Sequence, residues 1–172
     1  IMTVAPSSTD CWILYLSSAV IIALMINRFV IVNAFIPTES MSETIEPKDR
    51  VLANRLHYKV SDPKRGDIVV FRFPDNEEVL YVKRIIGLPE DTVEVKEGKV
   101  FINGEIIDEP YLKDAPTGNW GPYEVPEGKY FMMGDNRNIS ADSRYWTNKY
   151  VDREKIIGKV FLRYFPRIKF FR

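Results

Sequence analysis

Residues Asp91–Ile107 read DTVEVKEGKVFINGEII. Two short β-type runs stand here on either side of Lys96-Glu97-Gly98-Lys99, and the second is interrupted by Asn103-Gly104. An Asn-Gly pair between apolar runs is a type I′ hairpin signal, because both residues accept the positive φ that such a turn needs. Lys96 to Lys99 is a second expected turn. Similar runs lie on both sides: RVLANRL (50–56), GDIVVFRF (66–73), VLYVKRIIG (79–87), KYFMMGD (129–135) and KVFLRYF (159–165), punctuated by Gly, Pro, Asn and Asp. Runs of this length at this spacing predict a mostly β fold built of antiparallel sheet. Residues 108–127, DEPYLKDAPTGNWGPYEVPE, are rich in Pro, Gly, Asp and Glu and read as an irregular loop or cap. Tyr150 to Ile156 has the character of a short helix or turn.

The N-terminal part differs. Cys11 to Ile26, CWILYLSSAVIIALMI, carries no charge, and apolar character resumes after Asn27-Arg28 as FVIVNAFI. A cleaved secretory signal would need a basic segment ahead of it and an Ala-x-Ala site behind it, and neither is present. A buried core helix is the alternative to an uncleaved transmembrane anchor. The run is slightly short of a bilayer core of roughly 30 Å, and a helix continuing past Arg28 would complete the crossing, with Arg28 reaching to the interface. The expected organisation is therefore a tail over residues 1–10, one N-terminal transmembrane helix within 11–35, and a β-rich domain over 36–172. The C-terminus, FLRYFPRIKFFR, suits a membrane interface and a closing strand equally well.

Composition narrows the chemistry. The 172 residues carry 24 Lys+Arg and 24 Asp+Glu, so nothing suggests a nucleic-acid partner. The single cysteine, Cys11, and the single histidine, His57, leave no Cys/His cluster for a metal, and any His-based triad would have to use His57. Another route to an activated nucleophile is a lysine kept neutral by burial. Lys83 lies in the apolar run Val79–Gly87, where alternation puts it on one face with Tyr81 and Ile85. A lysine in a strand more often projects to solvent. Ser40, after the extended entry Phe35-Ile36-Pro37, could sit at a strand-to-turn corner, although serines are common in turns. Gly134–Arg144, GDNRNISADSR, is a dense polar loop directly after an apolar strand. Its Asp and Arg residues can pair, unless it is an ordinary Asx-rich turn.

Taken in order, IPTESM, RVLANR, YVKRIIGLPED and GDNRNISADSR resemble the blocks of the bacterial type I signal peptidases, serine–lysine proteases that remove signal peptides from exported proteins. The resemblance implies a membrane-bound serine endopeptidase with Ser40 as nucleophile and Lys83 as general base. It implies that Thr38, where the family usually has Ser, joins the Ser40 N–H in holding the oxyanion. It places Ser140 beside the lysine and makes Asp142 and Arg144 the pair that braces the loop, with Arg84 following the lysine. Shallow pockets for small residues before the cut would involve Ile36, Pro37, Met41, Ile45, Tyr81 and Val82. The implied partners are preprotein signal peptides and the lipid bilayer, with the β-domain on the extracytoplasmic side and no cofactor or metal. Two departures from the family pattern are Glu43-Thr44, where Pro-Thr is frequent, and Pro89-Glu90-Asp91, where Pro-Gly-Asp is usual. A catalytically silent relative, a self-cleaving repressor and a non-enzymatic membrane-tethered β-domain are the competing classes. The presence of both Ser40 and Lys83 speaks against the first, and the apolar N-terminal run against the second.

Overall fold

The computed structural model describes residues 8–171, with the side chains of residues 8–11 and 13 outside that description. Among the described residues there are two α-helices and twelve strands, arranged in two antiparallel sheets. Helix α1 (Ser8–Phe29) leads into strand β1 (Ile31–Phe35). The remaining strands are β2 (Arg50–Asn54), β3 (Ile68–Phe73), β4 (Asn76–Gly87), β5 (Thr92–Lys96), β6 (Lys99–Ile102), β7 (Glu105–Ile106), β8 (Trp120–Glu124), β9 (Lys129–Met133), β10 (Tyr150–Asp152), β11 (Ile156–Phe165) and β12 (Lys169–Phe170). The larger sheet runs β1-β2-β11-β3-β4-β9-β10, with β12 pairing β11, and the smaller runs β7-β6-β5-β8.

Local sequence explains the smaller sheet. Glu97 and Gly98 have φ of 53° and 73°, and Asn103 and Gly104 have 53° and 83°. Positive φ at both central residues is the type I′ condition. It brings Lys96 opposite Lys99 and Ile102 opposite Glu105. In the larger sheet the period of two sorts side chains between cores. Ile68 and Val70 of β3 pack with Val32, Val51, Ala53 and Val160, whereas Val69 and Phe71 pack with Ile85, Met132 and Trp146. Along β4, Ile85 enters this second cluster and Ile86 a third, with Val93, Val95 and Phe131. Burial on both faces is why these strands read as continuous apolar runs.

Several sequence boundaries move. The helix ends at Phe29, and residues 31–35, grouped with the anchor, are a strand paired with β2. Backbone hydrogen bonding to β2 captures this β-branched segment. Of the expected tail, residues 8–10 belong to α1 and 1–7 lie outside the described residues. Trp120–Glu124, read as irregular, pairs with β5. Tyr150–Ile156 is strand β10 followed by the 3₁₀ turn Arg153–Lys155. A short helix, α2 (His57–Val60), was not anticipated. Near the C-terminus Val160 of β11 is sealed in the core, whereas Phe165, Ile168 and Phe170 are exposed.

The described side chains of α1 from Leu14 to Phe29 are exposed. Among the described residues no helix is long and apolar enough to cross a membrane.

Candidate active site

The segment after β1 is extended. Ile36 N–H donates to Asp49 O at 3.0 Å, and Lys48 N–H returns to Ile36 O at 2.7 Å, so the entry is fixed along one edge. The chain then closes into a 3₁₀ turn, Glu39–Met41, that buries Ser40 and Met41. This presents the Ser40 hydroxyl 3.3 Å from the Thr38 hydroxyl. The Ser40 carbonyl accepts the N–H of Asn136 at 3.1 Å, which joins the turn to the loop after β9.

Lys83 stands in β4 opposite Val69, with its side chain only 3 % exposed as a residue. Its Nζ lies 5.6 Å from the centre of the Tyr81 ring. Burial pushes the amine down to about 8, against the pull of the Asp142 and Asp135 carboxylates and with some help from Arg144. Desolvation penalises the ammonium more than the neutral amine, and here it outweighs two nearby anions.

The loop Gly134–Arg144 is held by charge and by close packing. Arg84 clamps Asp135 through Nε at 2.8 Å and Nη2 at 2.6 Å. Arg144 clamps Asp142 through Nε at 2.8 Å and Nη2 at 2.9 Å, and neither side chain has any exposure. Asp142 Oδ2, which accepts Arg144 Nη2, also accepts the Gly134 N–H at 3.0 Å. Gly134 has no room for a β-carbon, which would collide with the Ser140 hydroxyl and the Ser40 carbonyl oxygen. The Ser140 hydroxyl is buried and has no hydrogen-bond partner among the described residues. An unpaired buried hydroxyl is costly, so its persistence at this point marks a place where a partner is expected.

Ser40, Thr38 and Lys83 line one cavity of about 630 Å³. Its apolar walls include Ile36, Pro37, Met41, Tyr81 and Val82, with Ile139 and Ala141 at the loop side. Two unpaired strand edges flank it. Among the described residues β1 pairs only with β2, and Leu80–Lys83 of β4 pair with β3, while β9 joins β4 only from Arg84 onward.

The model of the family described as "Signal peptidase, peptidase S26" matches residues 10–165. The chain belongs to that family. Membership of the signal peptidases of the S26 type makes it an enzyme, a peptidase. It is 43 % identical over 154 residues to a probable signal peptidase I-2 of Synechocystis sp., covering 87 % of this chain and 70 % of that protein. It is 35 % identical over 177 aligned residues to signal peptidase IB of Staphylococcus aureus, covering 92 % and 91 % of the two chains. A crystal structure of a signal peptidase I from Enterococcus faecalis V583 superposes with a TM-score of 0.52 at 34 % identity, covering 58 % of this chain and 97 % of that one.

Against the family pattern, the structure brings Ser40, Thr38, Lys83, Ile36, Pro37, Met41, Tyr81 and Val82 to one cavity, with Ser140 and the Asp142–Arg144 pair behind its loop wall. Ile45, expected with these residues, lies apart from the cavity. It is fully buried in the core cluster with Met41 and does not line the cavity, because the turn after Ser40 carries it inward. Both departures from the family fall at left-handed backbone. Glu90 has φ 70°, which a glycine would adopt without strain. Glu43 has φ 81°, which proline cannot adopt, so this turn is built differently from one with Pro. The Glu43 N–H is held instead by the Glu46 carboxylate at 2.8 Å.

Sequence reading missed the partners Asp135 and Glu109. Asp135 had a signal, since a charged residue directly after an apolar strand calls for a counter-charge. Glu109 had none, because its partner Arg137 lies 28 residues away, beyond strands β8 and β9.

Proposed function

We propose that this peptidase is a membrane-bound serine endopeptidase that cleaves N-terminal signal peptides from exported preproteins, with Ser40 and Lys83 as its dyad. The observation that carries the reading is a buried lysine, its amine lowered to about 8, on the wall of the apolar cavity that also holds a serine at a tight turn. The names of the relatives, signal peptidases all, support the substrate class.

In this reading a preprotein strand enters between the open edges of β1 and β4 and pairs with one or both, so that backbone hydrogen bonds fix its register. Small side chains before the cut enter the pocket between Ile36, Met41, Tyr81 and Val82. Neutral Lys83 takes the proton of Ser40 as the hydroxyl oxygen attacks the scissile carbonyl. The Ser40 N–H and the Thr38 hydroxyl receive the developing oxyanion; the 3.3 Å spacing of the two hydroxyls supports that role for Thr38. The lysine then passes its proton to the leaving amine and activates water for the second half of the reaction. Ser140, with its free hydroxyl beside Gly134, is the partner that would orient the amine.

The membrane part of the proposal has separate support. The described α1 does not by itself meet what a crossing needs. The uncharged run Cys11–Ile26 and the exposed apolar side chains of α1, with no part of the β-domain covering them, support an anchor. The β-domain then lies on the extracytoplasmic side, with exposed Phe165, Ile168 and Phe170 available to the interface.

Cleavage of a model preprotein by the purified chain tests the catalytic reading. Ser40→Ala should abolish cleavage and labelling by an acylating inhibitor. Unchanged cleavage by a folded Ser40→Ala protein would exclude Ser40 as nucleophile.

A further inference from the structure

The irregular segment between β7 and β8 belongs to neither sheet, yet it holds the loop after β9 at two places. The Glu109 carboxylate receives both terminal nitrogens of Arg137, Nη1 at 2.8 Å, and also the Tyr111 hydroxyl at 2.6 Å. Farther along, the Asn138 side-chain oxygen accepts the Thr117 N–H and hydroxyl, both at 2.9 Å, and its amide donates to Ala115 O at 3.1 Å.

The first of these contacts reaches the cavity through a short chain of neighbours. The Arg137 side chain has no exposure, and that of Glu109 has 7 %. Arg137 Nε donates to Gly134 O at 3.1 Å, and the Arg137 carbonyl accepts Arg144, the partner of Asp142. Gly134 in turn is packed against the Ser140 hydroxyl and the Ser40 carbonyl. Glu109 therefore acts on the loop through Arg137, and Arg137 on Ser40 and Ser140 through Gly134. A fork-to-carboxylate pair fixes direction as well as distance, which a single hydrogen bond does not.

We propose that Glu109 is a positioning residue of this enzyme: its carboxylate sets Arg137, and through it Gly134, so that Ser140 and Ser40 keep the spacing that catalysis needs. The proposal rests on the Ser40–Lys83 reading above. It assigns to the segment between β7 and β8 a part in the reaction, where packing alone would assign it a surface cap. It also places the effect in turnover and not in binding, since Glu109 does not line the cavity.

The test uses the full chain and a model preprotein. Breaking a buried pair on one side leaves an unpaired charge and destabilises, whereas replacing both partners with apolar residues is often neutral for stability. The informative protein is therefore the double variant Glu109→Leu/Arg137→Met, beside Glu109→Gln and Arg137→Gln singly and together. Expected is a fall in kcat of roughly 10- to 100-fold, as for a displacement near 1 Å at the reacting groups, with KM within about twofold. Active protein is counted by inhibitor acylation, so that misfolded material does not enter. The two Gln substitutions together should cost less than the sum of their separate effects, because both remove the Glu109–Arg137 pair. Wild-type kcat per active site in the double apolar variant would overturn the proposal, and so would full additivity of the Gln pair. Ser40→Ala, run alongside, separates the two readings: activity in that variant sinks the dyad, whereas an inactive Ser40→Ala with unaffected Glu109 variants sinks only the role of Glu109.

Discussion

The N–H of Asn136 donates to the carbonyl of Ser40 at 3.1 Å. This bond makes the 3₁₀ turn and the loop after β9 one unit, although almost a hundred residues of chain separate them. Any change that moves the loop must move Ser40.

Gly134→Ala is the smallest such change. Its methyl group would overlap the Ser140 hydroxyl and Cβ and the Ser40 carbonyl oxygen; the hydroxyl can rotate, but the Cβ and the backbone oxygen cannot move aside alone. Relief requires the loop and the turn to part. The expected outcome is a protein with its β circular-dichroism signature intact and kcat/KM lowered about 100-fold. Steady-state cleavage rates check it, and near-normal turnover would show that the contact is incidental.

Lys83 sets the pH dependence. With the amine near 8, the neutral form is scarce at pH 6 and dominant above pH 9, so kcat/KM should rise with pH and level off above about 8. Below that limb each pH unit costs about tenfold. The same displacement from the ordinary 10.5 means the unfolded chain binds more protons between about 8 and 10.5. In that window this group makes the fold more stable as pH rises. Lys83→Arg should be nearly inactive at every pH, because a guanidinium does not release its proton. A folded Lys83→Arg enzyme with ordinary turnover would reduce Lys83 to a positive charge.

Asp142→Asn separates support from electrostatics. It leaves Arg144 buried beside a neutral amide, a loss of about 3–5 kcal/mol when a buried pair is broken on one side. Denaturant titration measures that. The Asp142 carboxylate also raises the Lys83 value, so its removal should carry the ascending limb of kcat/KM to lower pH. A limb that moves upward would contradict the assignment of that limb to Lys83.

His57 should be dispensable. It is half-buried on α2, edge-on to Tyr58 with ring centres 4.9 Å apart, and it does not line the cavity. His57→Ala should retain kcat/KM within about twofold. A loss beyond tenfold in folded protein, about 1.4 kcal/mol of barrier, would require a histidine-based mechanism.

What could be read along the chain was what local chemistry determines. Asn103-Gly104 and Glu97-Gly98 make the hairpins of the smaller sheet because Asn103, Gly104 and Gly98 tolerate positive φ. The apolar runs became strands because both faces of the larger sheet are buried. The order of the four motif blocks identified the family and the residues to watch. Three things only the tertiary structure decided. Pairing with β2 ended the helix at Phe29 and turned residues 31–35 into strand, since an open sheet edge competes with helix for the same backbone groups. The inward path of the turn after Ser40 hid Ile45 while it left Met41 on the cavity wall. Glu109 met Arg137 although β8 and β9 intervene in the chain, and no periodicity of sequence encodes which distant charge a buried guanidinium will find.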